Sequence, residues 1–364
     1  MSPARDPEFG LVKSLAFSAT LILLFLGAAE LLVRGWAFYM RDDAEHWDAR
    51  TQTFVLEPGE YRSEYGVVAR VNSAGFVGRE LEPDGPDLWR IVAVGDSCTY
   101  GGGSDSDSYP ALLDARLNLR EGVGRRFEVV NAGISGLNSE LALRRLRTRV
   151  LPLEPDVVTV YIGWNDLMKF DPLAQVAHGE DARWSGVARA LDGLWLVKGM
   201  RKLLFFHVRP YLASPTTGPE SRTGRFQGFR PTVYERNLSE MIEAVRAAGA
   251  RPLLVTLPTV VRADMSVSDL RQARVMFPYF RSANAVGDFL DLLAAYNQVV
   301  RTLAKEQEVP LVDLAEHFET LEDPVPYFFD TMHPDRRGRE VVAEQLLAGL
   351  ERAGLLGPGG EARP

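Results

Sequence analysis

From Arg90 onward the chain alternates short apolar runs with longer stretches whose apolar residues recur at helical spacing. The runs "RIVAV" (90–94), "FEVVN" (127–131), "VVTVYIG" (157–163), "PLLVTL" (252–257) and "PLVDL" (310–314) have the length and β-branched content of strands. Residues 109–119, 137–150, 233–248, 289–308 and 336–355 read as helices. Runs that are apolar at nearly every position must be covered on both faces, so the alternation predicts a parallel sheet between two helical layers. Ligands of such open sheets sit beyond the carboxyl ends of the strands.

The pattern before Arg90 is different. "SLAFSATLILLFLGAAELLV" (14–33) carries one charge, Glu30, and lacks the polar stripe of a core helix. Its length fits a bilayer's hydrocarbon core, which predicts a single transmembrane anchor after a short head, residues 1–13. Gly27-Ala28-Ala29 offers small residues for a signal peptidase, yet the apolar run continues through Val33, so an uncleaved anchor is expected. Arg5 and Lys13 before the span nearly balance Arg34 and Arg41 after it; the short head favours the N-terminus inside and the remaining chain outside the cytoplasm. Residues 34–89 read as a tether and lead-in, with no clean period over 41–60 and a turn at "VNSAGFVGRE" (71–80). The main domain is expected over 90–355, with an insertion at about 167–231 and a flexible Gly/Pro-rich tail at 356–364. Within the insertion, "WLVKGMRKLLFFHVRPYL" (195–212) holds Lys198, Arg201, Lys202 and Arg209 but no acid. That composition suits either a packed helix with its cations in water or a segment in the membrane interface.

Composition narrows the partners. A chain of 364 residues that is 46% hydrophobic can bury a substantial core, and its net charge of -8 disfavours nucleic acid. The single cysteine, Cys98, excludes an intramolecular disulfide and the paired-cysteine zinc spacings.

The first strand runs into "GDSCTYGGG" (95–103), which lacks the G-x-G-x-x-G order, the P-loop lysine and, with Thr99 in the last place, the G-x-S-x-G elbow. Ser97 is therefore a turn residue or a nucleophile. A serine nucleophile needs a base, and the base needs an orienting group. Of the five histidines, His46, His178 and His207 have no acidic partner in an obvious turn, and His317 follows Glu316 in a predicted surface helix. His333 stands three residues after Asp330 in "FFDTMHPDRRG" (328–338), in the loop after the fifth strand. That spacing can turn the carboxylate back onto Nδ1 and leave Nε2 for the serine; the plain alternative is a capping aspartate beside a solvated histidine. Donors for an oxyanion are on offer at two further strand ends. "VVNAGISG" (129–136) brings Gly133 and Gly136, whose backbone can approach a ligand closely, and "YIGWND" (161–166) brings Gly163, Asn165 and Asp166. The Asn165 amide is the natural side-chain donor, unless it serves only an Asx turn.

These four blocks, in order and each at a strand end, resemble the SGNH hydrolases, also called GDSL esterases. The resemblance covers roughly residues 90–355 and implies a flavodoxin-like three-layer α/β/α sandwich. It implies Ser97 as nucleophile, His333 and Asp330 as its partners, and Gly136, Asn165 and the Ser97 N–H as oxyanion donors, with no metal or cofactor. Cys98 stands where the family's name has Leu, a change expected to touch packing more than chemistry. The anchor and "NSAGFVGRE" are similar to membrane-tethered bacterial members, some of which act on cell-surface glycans. The expected substrate is an acyl ester, with an O-acetyl group on a polysaccharide implied by that analogy alone. Acyl transfer to a sugar hydroxyl uses the same residues, and a non-catalytic glycan-binding or assembly subunit could keep the same fold.

Overall fold

Residues Pro7–Met40 form one helix, α1, and within it Val12–Gly35 is long and apolar enough to cross a membrane, with none of that stretch buried. The structure, a computed structural model, describes residues 7–40, 45–62, 68–104, 106–119, 125–169, 194, 196–197, 200, 224, 226, 228–275 and 286–357. Most of the expected insertion, with His178, His207 and most of 195–212, lies outside the described residues, as does the tail from 358.

The stretch read as a tether and lead-in holds regular structure in its described residues. β1 (Glu45–Asp48) pairs antiparallel with β2 (Thr53–Leu56), and β3 (Gly59–Arg62) with β4 (Val68–Val71). Strands of four residues are too short for their alternation to stand out in the sequence. Burial holds them in place: Thr53, Val55, Leu56, Ala69 and Val71 are all inside. The turn after β4 is present as expected, but Phe76 is buried and Val77 bridges antiparallel to Asn131. Buried Arg145 binds the segment down, its guanidinium donating to the carbonyls of Phe54 (3.4 Å), Gly75 (3.3 Å) and Ala132 (3.2 Å) and lying 5.2 Å from the Phe76 ring centre. Burial pulls its pKa down to about 9, with the nearby Arg149 charge adding to the fall, which leaves it charged at neutral pH. These contacts join residues 53–77 to the segment that follows Arg90.

The five apolar runs form one parallel sheet. β5 (Leu88–Gly95) is buried at every position and lies between β6 (Arg126–Asn131) and β7 (Val157–Tyr161); β8 (Arg251–Val255) and β9 (Leu311–Val312) continue beyond β7. The order β6-β5-β7-β8-β9 is the flavodoxin-like one, and the winding reverses around β5, which opens a crevice at its carboxyl end. A one-turn helix, α2 (Ser97–Tyr100), follows β5 directly. α3 (Tyr109–Asn118) packs with the last helix, α10 (Arg336–Arg352), on one face. On the other face lie α4 (Ser139–Arg145), which continues as a π turn to Val150, α6 (Thr232–Ala247) and α8 (Val286–Glu306). α5 (Trp164–Lys169) follows β7, α7 is Val267–Gln272, and α9 is Leu314–Glu319. β9 is shorter than the run "PLVDL" suggests because Asp313 leaves the sheet to cap α9, accepting from the Glu316 N–H at 3.0 Å.

The turn from β5 into α2 closes only because residue 95 is glycine. A Cβ there would stand 1.9 Å from Thr99 Oγ1 and 2.5 Å from the Tyr161 carbonyl oxygen. Gly95→Ala is expected to cost about 3 kcal/mol, the upper end for overpacking, and to lower the thermal midpoint by several degrees. Thermal denaturation measures it; an unchanged midpoint would mean that this contact relaxes freely.

Candidate active site

Three of the expected residues meet. Asp96 caps α2 by accepting from the Cys98 N–H at 3.0 Å, which starts the helix at Ser97 and lifts the serine to the end of the sheet. Ser97 Oγ lies 2.8 Å from His333 Nε2, and His333 Nδ1 lies 2.9 and 2.8 Å from the two Asp330 oxygens. The Asp330 side chain is 9% exposed. Its Oδ1 also accepts from the N–H groups of Met332 and His333, both at 3.0 Å, so the D-x-x-H spacing forms a turn around its own carboxylate. Burial alone would raise the Asp330 carboxyl, but the adjacent His333 and those two N–H groups outweigh it and hold the pKa below the ordinary carboxylate value.

Cys98 sits beneath this loop, buried, with Sγ 3.5 Å from the Met332 carbonyl oxygen. Burial, with the neighbouring Asp96 and Asp330 charges, pushes its thiol well above the usual pKa, so it acts as packing. The remaining described histidines stand elsewhere. His317 lies on α9 against Phe318, and His46, on β1, has Glu57 at 3.6 Å, an exposed acidic neighbour that its sequence surroundings did not reveal.

The two loops expected to hold oxyanion donors flank Ser97, from the ends of β6 and β7 on either side of β5. Their glycines divide by role. Gly133 is a packing position, since a Cβ there would come 2.4 Å from Tyr100 N and 2.8 Å from the Thr99 carbonyl carbon. Gly136 lies three residues further along the loop, half-buried, at φ 78°, a left-handed conformation that glycine takes without strain. Asn165 is the second residue of α5, half-buried, and among the described residues its side chain makes no hydrogen bond. In the first turn of α2 the N–H groups of Cys98, Thr99 and Tyr100 all bond to Asp96, and the Ser97 N–H does not.

A cleft of about 410 Å³ opens beside Ser97 and His333. Gly101, Gly102, Ser104, Asp107, Phe329 and Arg336 are among its lining residues. The sequence reading did not single out this wall; the glycine run 101–103 and the doubled phenylalanine before Asp330 were its visible traces. Ser139 and Asn237, which bond to one another under the Asn165 loop at 2.8 Å, were also missed, because nothing local marks a pair so far apart in sequence.

The profile of the GDSL-like lipase/acylhydrolase family matches residues 93–341, a stretch that contains all five expected site residues. The chain belongs to this family. It is accordingly a hydrolase of ester bonds. A curated relative, the uncharacterized lipoprotein YqeF of Bacillus subtilis (strain 168), is 24% identical over 246 residues, which are 68% of this chain and 76% of the relative. Among solved structures, the lipase/acylhydrolase from Enterococcus faecalis aligns at 18% identity and TM-score 0.44, covering 73% of this chain and 96% of its own. The acetylxylan esterase Axe2 from Geobacillus stearothermophilus aligns at 18% identity and TM-score 0.42, covering 72% and 94%.

The lowered Asp330 pKa has a stability consequence. A carboxylate held below its unfolded pKa stabilises the fold above that unfolded value, and the contribution is lost as pH falls through the lowered one. The gap in thermal midpoint between the wild type and Asp330→Asn is therefore expected to be widest above about pH 5 and to narrow as pH falls through the lowered Asp330 value. Melting curves across that range check it, and a gap independent of pH would contradict the pairing.

Proposed function

We propose that this member of the family is a serine esterase in which Ser97 attacks the ester carbonyl, His333 takes its proton and Asp330 orients the imidazole and stabilises its charged form. The observation that carries the reading is the unbroken chain from Ser97 Oγ through His333 to Asp330, every link between 2.8 and 2.9 Å. His333 Nε2 accepts the hydroxyl proton as the tetrahedral intermediate forms, then returns it to the leaving alcohol oxygen. A water molecule, activated in the same way, releases the acyl group from Ser97. Gly136 N–H, the Asn165 amide and the Ser97 N–H stabilise the oxyanion.

The alcohol side of the ester belongs in the cleft. Its wall combines a half-exposed aromatic ring, Phe329, with Asp107, Ser104 and Arg336, which suits a hydroxyl-rich sugar, and we assign the acyl group as an O-acetyl on an extracytoplasmic glycan. We further place Val12–Gly35 across the membrane as an uncleaved anchor and take the membrane surface as the partner of the basic stretch 195–212. Supporting this, the Leu196 N–H donates to Glu30 Oε2 at 2.7 Å, and Glu30 lies within the apolar span, where a carboxylate needs partners.

With p-nitrophenyl acetate as substrate, Ser97→Ala and His333→Ala should each lower kcat on the order of 10³-fold or more, and the double variant little further. Asn165→Ala should lower kcat about 10²-fold while Ser97 still reacts with a fluorophosphonate. Additive losses would remove the serine–histidine assignment. On an acetylated xylan, free acetate marks hydrolysis, and acetyl groups moved to an added sugar mark transfer instead. The anchor predicts that the full chain stays with the membrane after an alkaline carbonate wash and is released by detergent; release by carbonate would remove the anchor.

A further inference from the structure

The loops that carry Gly136 and Asn165 leave the sheet from β6 and β7, and β5 lies between those strands. No ladder hydrogen bond therefore joins the two loops directly. A carboxylate does so instead. Asp166, next to Asn165 in the first turn of α5, accepts from Ser139 Oγ at 2.5 Å through Oδ1 and from the Ser139 N–H at 2.8 Å through Oδ2. Ser139 begins α4, three residues after Gly136.

The arrangement is directional. Asn237 on α6 donates its amide to Ser139 Oγ at 2.8 Å, so the serine's own proton is left to bond Asp166. One turn earlier on α6, the Tyr234 hydroxyl donates to the Ile162 carbonyl oxygen at 2.8 Å, and its oxygen and ring fill the space a side chain at Gly163 would need, 2.9 and 3.0 Å from the Cβ position. Helix α6 thus fixes the "YIGWND" loop from below, and Asp166 fastens the Gly136 loop to it from the side. Two donors meet two acceptor oxygens; asparagine keeps only one acceptor and would have to donate to Ser139 Oγ, which strips the serine proton of its partner. Burial drives the Asp166 carboxyl up to about 7, with the Asp96 charge adding to the rise and the two Ser139 bonds opposing it. The fold thus keeps an ionisable group at a place where a neutral residue would be easier to bury.

We propose that Asp166 is a positioning residue that sets the separation between the Gly136 and Asn165 oxyanion donors by clamping Ser139. This rests on the oxyanion assignment above.

The test is a double-mutant cycle on the full chain in detergent, with p-nitrophenyl acetate and with the thermal midpoint followed in parallel. Asp166→Asn should lower kcat about tenfold, within the range for small misplacements of catalytic groups, and change KM by less than about twofold. In an Asn165→Ala background the same change should cost almost nothing, because the donor that it aligns is gone. Ser139→Ala keeps the N–H bond and loses the hydroxyl bond; it should show a smaller kcat loss that also vanishes in the Asn165→Ala background, and it carries the test if Asp166→Asn does not fold. An unaffected kcat in these variants, an equal loss in both backgrounds, or a loss expressed in KM would overturn the clamp alone. Full activity in Asn165→Ala would overturn the oxyanion assignment, and the clamp with it.

Discussion

No side chain can be added at Gly95 or Gly133 without striking the backbone or side chains of α2, the single helical turn that bears Ser97. That close approach is the constraint on which the site depends. It lets α2 sink between the loops from β6 and β7, with Thr99 buried beneath it and hydrogen-bonded to Tyr109 of α3 at 3.0 Å. A serine on a turn held from three sides has few alternative positions, so its hydroxyl is placed before any substrate arrives.

The histidine loop is fixed as firmly by other means. Asp330 uses its two oxygens on the imidazole and on two N–H groups of its own turn. The Phe329 N–H donates to the His333 carbonyl oxygen at 2.8 Å, and the Thr331 carbonyl oxygen accepts from Thr259 Oγ1 at 2.8 Å. Cys98 then couples this loop to α2 through the Met332 carbonyl oxygen. The serine and the histidine thus share a floor, although 236 positions separate them in the chain.

What was legible in the sequence followed from how far each signal extends. The five strands could be read because burial on both faces makes a run apolar at most positions, Ser97 because it stands directly after such a run, and Asp330 and His333 through their three-residue spacing, although α9 separates them from β9. β1 to β4 could not, since four-residue strands held by Arg145 and by contacts to distant loops leave no periodic trace. Both Gly133 and Gly136 look equally able to approach a ligand in sequence; only the packing of α2 shows that one is filled by Thr99 and Tyr100. The bond from Asp166 to Ser139 depends on the strand order, which is a property of the assembled sheet.

The N-terminal strands also bear on the order in which the chain can assemble during synthesis. Glu45 Oε1 accepts from the Ser135 N–H at 3.2 Å, and the Phe54 carbonyl meets Arg145, so these early residues wait for partners about 90 positions later. Ser97 waits longer still, until the segment around His333 has left the ribosome. A nascent chain halted anywhere before that point holds Ser97 without the imidazole that it meets in the folded chain.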